Sequence, residues 1–144
     1  MQIEIVYQAD NELYEAFQRL VPQLTHNNPP PTREYLSALI QETASTLMIA
    51  RSDDGQIIGA LTLTVYRVPT GIRSIIEDVI VDISARGQGI GEALMWRAIE
   101  IAKEKGASNI TLTSNSLRVA ANKLYLKLGF EKRETNAYQM KLSK

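Results

Sequence analysis

The segment with the clearest capacity for ligand chemistry is rich in glycine and follows a stretch of β-branched residues. Val79–Ile83 predicts the end of a strand, and Arg86–Gly91, with the sequence RGQGIG, leads directly into an amphipathic helix. Glycine lets the backbone approach a ligand closely and adopt dihedral angles that other residues avoid. Because the first turn of a helix has unpaired N–H groups and a positive dipole end, the segment predicts a phosphate-binding loop.

The spacing of the glycines excludes two common phosphate-binding motifs. The dinucleotide motif G-x-G-x-x-G would require a third glycine at Glu92 or Leu94, and the P-loop requires Gly-Lys-Ser/Thr. The observed pattern is Arg-x-x-Gly-x-Gly, which resembles the acyl-CoA pyrophosphate loop of the GNAT superfamily. A strand-to-helix turn without a ligand is the alternative. The resemblance implies pyrophosphate contacts from Arg86, Gly87, Gln88, Gly89, Ile90 and Gly91.

A second segment, Leu112–Phe130, is similar to another motif of the same superfamily and ends in the sequence LYLKLGF. In that motif a tyrosine on a helix reaches the thioester sulfur with its hydroxyl, and the matching residue here is Tyr125. It lies beside Leu124 and one turn beyond Ala121, at the edge of the apolar face, where an amphipathic side chain can point into a cleft. The alternative is a core or boundary tyrosine whose hydroxyl bonds to the backbone.

The chain departs from the family's pattern close to this tyrosine. Many members have an asparagine seven residues before it, where this chain has Arg118. Asn115 and Asn122 lie nearby, and either could supply the amide that contacts CoA. The resemblance is carried over to Asn122, because its helical position places it close to Tyr125. Arg118 is expected either to reach a phosphate or to be solvated.

The strand before the glycine loop is the part that the resemblance connects with the thioester. In the family, this strand pairs its backbone with the pantetheine arm and splays from the next parallel strand. The matching strands here are Glu77–Asp82 and Asn109–Thr113, and the pairing residues are Val79, Ile80 and Val81. A backbone N–H near Val79 or Ile80 would then stabilise the developing oxyanion.

Two carboxylates interrupt this otherwise apolar strand. Alternation sends Glu77 and Asp78 to opposite faces, and a carboxylate inside a sheet is costly unless it is paired or lines a cleft. Glu77 resembles the family's base, which removes a proton from the acceptor ammonium directly or through water. Two alternatives stay open: Glu77 pairs structurally with Arg73 or Arg51, or Asp78 is the base or a substrate anchor.

These groups are sufficient for acetyl transfer to an amine. An alkyl amine has a pKa of about 10, so a base must remove its proton before the nitrogen attacks a thioester. The attack gives an oxyanion and then expels a thiolate with a pKa of about 8.5, which a tyrosine hydroxyl can protonate. The chemistry requires no metal ion and no covalent enzyme intermediate.

The composition excludes several other functions. The chain has 144 residues, which suits one domain, and its 16 basic and 16 acidic residues leave no net charge that favours nucleic acid or an anionic membrane. It has no cysteine and one histidine, His26, which excludes thiolate and histidine-cluster metal sites. Because it lacks a signal-peptide pattern and a long apolar run, we expect a cytoplasmic protein.

The elements that must position these residues follow from local patterns. Helices are predicted from Asp10 to Leu24, from Thr32 to about Thr43, from the glycine loop to Lys105, and over Leu117–Leu128. Strands are predicted at Gln2–Tyr7, Thr46–Arg51, Ile57–Arg67, Arg73–Ile83, Asn109–Thr113, Phe130–Arg133 and Ala137–Leu142. The order β-α-α-β-β-β-α-β-α-β-β predicts a mixed α/β fold in a single domain, residues 1–144.

The resemblance implies a particular fold and activity. The fold is that of the GNAT acyl-CoA N-acyltransferases, with a central, mixed, mostly antiparallel sheet of about seven strands, four flanking helices and a splayed parallel pair at the CoA cleft. The activity is transfer of an acetyl group from acetyl-CoA to a primary amine of a small molecule or peptide by direct attack. The alternative is a non-catalytic acyl-CoA-binding regulatory module. A homodimer through the closing strand is a further expectation, and no nucleic acid or membrane partner is expected.

Overall fold

The computed structural model describes residues 1–143, which form two compact units, residues 1–113 and residues 114–143. The first unit contains β1 (Gln2–Ile5), α1 (Asn11–Leu24), α2 (Arg33–Gln41), β2 (Ser45–Arg51), β3 (Ile57–Val68), β4 (Gly71–Val81), α3 (Ile90–Glu104) and β5 (Ile110–Thr111). A 3₁₀ helix, Ile83–Ala85, lies between β4 and the glycine loop, and the second unit contains α4 (Val119–Leu128). Within residues 1–143, no helix has both the length and the apolar character that a bilayer span requires.

The strands form one sheet in the order β1-β2-β3-β4-β5. Neighbouring strands from β1 to β4 are antiparallel, and β5 runs parallel to β4. The predicted fold class is therefore confirmed: the chain combines four α-helices with a mixed, mostly antiparallel sheet that ends in a parallel pair.

Residues 1–143 form five strands, whereas the sequence predicts a sheet of about seven. Phe130–Arg133 and Ala137–Leu142, which were expected to close the sheet, have no regular secondary structure. Tyr138, Met140 and Leu142 alternate with polar residues as in a strand, yet each is more than 80% exposed. Alternation shows which side chains would share a face, but a strand also needs the backbone of a neighbour to pair with.

Both N-terminal helices begin where the sequence predicts. The Asp10 carboxylate accepts a hydrogen bond from Leu13 N–H at 2.8 Å, and Thr32 Oγ1 accepts one from Tyr35 N–H at 3.1 Å. These bonds satisfy backbone donors in the first turn of each helix. The helices share one apolar core with the sheet, to which they contribute Leu13, Ala16, Phe17, Leu20 and Leu36.

Cross-strand pairing assigns the side chains of the sheet to two faces. Ile49, Ala60 and Ile80 are neighbours in three adjacent strands, and all three belong to the core with α1 and α2. Gly59 precedes Ala60, so any side chain at Gly59 would lie on the opposite face. That face packs on α3, because a Cβ atom built on Gly59 would lie 3.3 Å from Leu94 Cδ1.

The start of α3 lies close to β3 at Gly59. A Cβ atom there would also lie 3.3 Å from Ile90 Cγ2 and 3.1 Å from Ile80 O. The separation from Ile90 Cγ2 is shorter than the optimum of about 3.5–4.0 Å between carbon atoms, and the contact with the Ile80 oxygen is tighter still. The absence of a side chain at Gly59 therefore fixes how near the first turns of α3 come to the sheet.

Replacing Gly59 by valine is expected to destabilise the fold and displace the start of α3. The added carbons would press on Ile90, Leu94 and the Ile80 carbonyl, and overpacking of this kind costs about 1–3 kcal/mol. Gly59→Ala should cost less, because it adds one carbon and also restricts the unfolded chain. Urea unfolding of both variants measures this order, and wild-type stability of Gly59→Val would contradict the close approach.

Candidate functional site

The glycine loop between the 3₁₀ helix and α3 has the backbone conformation that its sequence predicts. Gly87 and Gly89 have φ angles of 78° and 80°, in the left-handed region that favours glycine. Gly89 is also the N-cap of α3. A Cβ atom built on either glycine would meet nothing within 4 Å among residues 1–143. The loop thus combines a conformation that glycine adopts easily with open space beside the backbone.

The first turn of α3 has backbone donors that the protein does not cap with a side chain. Ala93 N–H donates to Gly89 O at 3.1 Å and so makes the first bond of the helix. The N–H groups of Ile90 and Gly91 therefore have no partner within the helix, and Gly89 supplies no side-chain cap. Together with the positive end of the helix dipole, these donors provide the electrostatics that a phosphate requires.

Two exposed polar side chains, Arg86 and Gln88, belong to the same loop. Arg86 Nε donates to Val81 O at 3.1 Å, which ties the loop to the last residue of β4. A guanidinium group has five N–H donors, so this bond leaves donors for an anion.

A buried carboxylate, Asp82, holds the junction between β4 and the loop. It accepts hydrogen bonds from Ser84 N–H at 3.1 Å and from Ser84 Oγ at 3.0 Å. It also accepts one from Arg19 Nε at 3.1 Å, and the same arginine donates to Ile57 O at 2.6 Å. Arg19 therefore fastens α1 both to the start of β3 and to the end of β4.

The junction has a second contact with α1, since Gln23 Oε1 accepts a hydrogen bond from Ile83 N–H at 2.8 Å. Burial by itself raises the pKa of Asp82, but the bonds from Ser84 and Arg19 outweigh it and hold that pKa below its usual range. Arg19 and Asp82 are not predicted as partners from the sequence, because they lie 63 positions apart. The one local pattern that indicates a role for Asp82 is its position as an acidic residue at the end of an apolar strand.

A β-bulge in β4 changes the arrangement expected for the two carboxylates. Thr62 pairs with Glu77 and Ala60 pairs with Ile80, so β4 has one residue more than β3 between these pairs. Asp78, at the bulge, has a φ angle of 51°. Glu77 and Asp78 are both exposed. The predicted simple alternation does not hold here, because the extra residue interrupts it and gives both carboxylates access to solvent.

Within residues 1–143, Glu77 forms neither of the ion pairs considered from the sequence. Arg51 is bonded to two other glutamates, and Arg73 donates to Thr70 Oγ1 at 2.7 Å. Partial loss of hydration raises the pKa of Glu77, and the neighbouring Asp78 carboxylate raises it further. The shift makes Glu77 a stronger base than an ordinary exposed glutamate.

Beside the bulge, β4 has a stretch of backbone that β5 does not pair with. β5 pairs with β4 only at Ser74 and Ile75, whereas β4 continues to Val81. Val79 and Val81 are half-buried, and Ile80 is buried in the core with α1 and α2. The main chain of Val79, Ile80 and Val81 thus lies beyond the parallel pairing, which agrees with the predicted splay.

In the second unit, Tyr125 lies on α4 and is buried, with 7% of its surface exposed. Its ring packs edge-on against Phe130, with 6.2 Å between the ring centroids. Burial raises the pKa of the Tyr125 hydroxyl, and the positive charge of Arg118 opposes part of that shift. The phenol is therefore protonated at neutral pH and can donate a proton.

The two asparagines expected to contact CoA stabilise the turn before α4. Asn122 Nδ2 donates to Asn115 O at 3.0 Å and to Arg118 O at 2.9 Å. Asn115 Oδ1 accepts a hydrogen bond from Leu117 N–H at 2.9 Å. Because both amide hydrogens of Asn122 are used within this turn, a CoA contact from this residue would use its Oδ1.

The residues predicted from the sequence are divided between the two units. One continuous stretch of the first unit, residues 77–91, contains the Glu77 carboxylate, the part of β4 that β5 leaves unpaired and the glycine loop. Tyr125, Asn115 and Asn122 belong to the second unit. The first unit thus has the groups for an anion site and a base, and the second has a phenolic proton donor.

Residues 7–130 match the sequence family described as the Acetyltransferase (GNAT) family. The chain belongs to this family. The matched residues include β4, the glycine loop and Tyr125. The family predicted from Arg86–Gly91 and Leu112–Phe130 is therefore confirmed.

Curated relatives share part of their length with this GNAT chain. A glucosamine 6-phosphate N-acetyltransferase from Trypanosoma brucei brucei is 35% identical over 92 residues, which cover 62% of this chain and 60% of that protein. N-acetyltransferase 8B from Rattus norvegicus is 30% identical over 103 residues, or 70% of this chain and 44% of that protein. The chain therefore spans about half the length of the curated relatives it matches.

A solved structure described as a transcriptional regulator from Bacillus halodurans C-125 has the same fold. It is 29% identical to this GNAT chain, with a TM-score of 0.76. The similarity covers 98% of this chain and 100% of that one. The fold is thus shared along almost the whole chain.

Replacing Asp82 by asparagine is expected to lower stability by about 1–2 kcal/mol near neutral pH, because the bond to the partly exposed Arg19 loses its charge. The pKa of Asp82 is held low in the folded protein, so its contribution is present above the unfolded pKa of about 3.9 and is lost as pH falls through the folded value. Urea unfolding between about pH 7 and pH 3 should show the difference between variant and wild type shrinking.

The matched control is Glu131→Gln, which removes a carboxylate charge at an exposed position. It should leave the unfolding free energy almost unchanged over the same range of pH. If the Asp82→Asn difference stays constant on acidification, the charge on Asp82 does not hold this junction.

Proposed function

We propose that this protein is an N-acetyltransferase that transfers the acetyl group of acetyl-CoA to a primary amine of a small molecule or peptide by direct attack in a ternary complex. The observation that carries the proposal is the uncapped, glycine-lined start of α3, which follows the β4 segment that contains Glu77. Membership of an acetyltransferase family supports the reaction class.

The glycine loop supports binding of the CoA pyrophosphate. The N–H groups of Ile90 and Gly91 supply hydrogen bonds at the positive end of α3, and Arg86 adds a guanidinium group. The open space beside Gly87 and Gly89 fits phosphate oxygens, and a side chain at either position would fill it. These groups fit an anion better than any neutral ligand.

The part of β4 that β5 leaves unpaired supports the position of the pantetheine arm and the thioester. The main chain of Val79, Ile80 and Val81 would pair with the amides of the arm as an added strand does. A backbone N–H at Val79 or Ile80 would then face the thioester carbonyl. One such donor contributes about 3 kcal/mol when it stabilises an oxyanion.

Glu77 is the proposed base. An alkylammonium group has a pKa of about 10, so the amine must lose a proton before it reacts at neutral pH. Glu77 accepts that proton, directly or through a water molecule, and its raised pKa makes it more effective in this role. The free amine nitrogen then forms a bond to the carbonyl carbon of the thioester.

Tyr125 is the proposed acid, a role that rests on the resemblance together with its raised pKa. Collapse of the tetrahedral species breaks the C–S bond, and the phenol gives its proton to the leaving sulfur. The attacking nitrogen releases its second proton, which restores the phenol through solvent. The products are the N-acetylated amine, the CoA thiol and the one proton that Glu77 accepted.

The acceptor class has support from one relative, which is named for acetylation of glucosamine 6-phosphate and is 35% identical over the shared region. It favours a small-molecule amine. A homodimer and a cytoplasmic location stay predictions.

The alternative function, a regulatory module that binds acyl-CoA without turnover, has support from the structure described as a transcriptional regulator. Amine-dependent release of the CoA thiol separates the two functions, because only the enzyme releases it.

Tyr125→Phe is expected to lower kcat by about 10²-fold or more, with little change in the affinity for acetyl-CoA. The change removes the hydroxyl and keeps the ring that packs on Phe130. Thiol release with an amine panel measures kcat, and calorimetry measures acetyl-CoA binding. Tyr138→Phe is the matched control, because that tyrosine is 90% exposed.

Wild-type turnover in Tyr125→Phe would remove Tyr125 as the acid. Retained acetyl-CoA binding without thiol release for any amine, in the unmodified protein, would instead support the regulatory module. Loss of acetyl-CoA binding itself would reject the glycine loop as the pyrophosphate site.

The dependence of kcat/KM on pH is expected to have an acidic limb above 4.5, the ordinary value for a glutamate, because burial and Asp78 raise the pKa of Glu77. Activity should rise through that pKa, since only the ionised carboxylate accepts a proton. Glu77→Gln should lower kcat/KM by about 10²-fold and remove the limb. Asp78→Asn should keep the limb and move it to lower pH. The opposite result for the two variants would assign the base to Asp78.

A further inference from the structure

The sheet face that packs on α1 and α2 is covered over only part of its length. Ile49, Ala60 and Ile80 lie side by side on this face and are buried in that core. In the next row, Thr62 pairs with Glu77, and there Thr62 is half-buried and Glu77 is exposed. Residues on this face are therefore less protected from solvent at the Thr62–Glu77 pair and from there toward the turn between β3 and β4.

The less protected part of this face carries hydroxyl groups and then a cation. Thr62, Thr64 and Tyr66 alternate onto the face from β3. Since Thr62 pairs with Glu77 and Tyr66 pairs with Arg73, the two charged residues of β4 share the face with them. Tyr66 and Arg73 are exposed, and Thr64 is half-buried. Thr62, Thr64, Tyr66, Arg73 and Glu77 together form the polar strip.

The two ends of the polar strip have opposite charges. Arg73 lies four residues before Glu77 in the regular part of β4, which separates their Cα atoms by about 13 Å. Arg73 donates one hydrogen bond to Thr70 Oγ1, and its guanidinium has further N–H donors. No carboxylate among the described residues forms an ion pair with Arg73. At the other end, the Asp78 carboxylate adds to the negative charge of Glu77.

We propose that the polar strip binds the acceptor, and that the acceptor is a hydroxylated primary amine that also carries an anionic group. The assignment rests on the proposed function, in which Glu77 takes the proton of the amine. The ammonium group lies at Glu77, a hydroxyl group bonds to Thr62, and the anionic group pairs with Arg73. Thr64 Oγ1 already shares a hydrogen bond with Ser45 Oγ at 3.1 Å, so it can take part in only one further bond of this kind. Each end of the strip thus meets a ligand group of opposite charge, and a polycation would be repelled at Arg73.

The experiment uses pairs of amino sugars in which a phosphate ester replaces one of several hydroxyl groups: D-glucosamine with D-glucosamine 6-phosphate, and D-galactosamine with D-galactosamine 6-phosphate. Spermidine is the amine without an anion. Arg73→Gln is compared with Arg67→Gln, which removes the same charge from the opposite face of the same two-stranded region. Thiol release gives KM for each amine and for acetyl-CoA, and calorimetry with CoA-saturated protein gives the affinity for each amine.

The phosphorylated amine of each pair is expected to have the lower KM in the unmodified protein. Arg73→Gln should raise that KM about tenfold or more, the effect of losing a charge-assisted hydrogen bond, and should leave the KM of acetyl-CoA unchanged. Arg67→Gln should change neither value. The proposal is overturned if the unphosphorylated amines or spermidine are preferred, or if both variants behave alike.

Failure of the proposed function gives a different result. In that case no amine supports thiol release, although calorimetry still reports whether the phosphorylated amines bind more tightly and whether Arg73→Gln weakens them. Tighter binding that Arg73→Gln weakens would support the polar strip as a ligand site, and equal binding of both members of each pair would overturn it. The two ideas can therefore fail separately.

Discussion

The N–H groups in the first turn of α3 are the donors on which the proposed chemistry depends. A serine, threonine or aspartate at the N-cap would accept a hydrogen bond from one of them within the protein, whereas Gly89 has no side chain and leaves that donor for a ligand. Their position is set from two sides. Gly59 lets the helix approach β3, and Asp82 with Arg19 fixes the chain that enters the loop. The position of an anion site made of backbone atoms thus depends on the packing of α3 against β3 and on the contacts of Asp82.

The parts of the fold that local patterns describe could be predicted from the sequence. Asp10 and Thr32 cap their helices, and the left-handed conformations of Gly87 and Gly89 follow from residue type and spacing. Apolar residues at the helix and strand periods predicted the order of the elements as far as α4, although that helix begins at Val119, two residues later than expected. The loop was the strongest signal, since its chemistry resides in a short contiguous segment.

The parts that depend on distant residues could not be predicted in the same way. Arg19 and Asp82 meet only because α1 packs across the end of β4, and neither residue has a local pattern that names the other. Phe130–Arg133 and Ala137–Leu142 are predicted as closing strands, but a local sequence pattern does not provide a pairing partner. The β-bulge has no glycine that marks it in the sequence. Asp78 adopts the left-handed conformation itself, which is uncommon for a residue other than glycine.

The bulge at Asp78 shifts the phase of β4. Before it, odd-numbered residues such as Glu77 point toward the α1 side, and after it, an even-numbered residue, Ile80, does so. If one residue were lost from this segment, simple alternation would return, and Glu77 and Ile80 would no longer lie on the same side. Either the carboxylate would turn beneath α3, or the isoleucine would leave the hydrophobic core. The number of residues in β4 therefore decides, together with their identity, which side chains this strand presents on each face of the sheet.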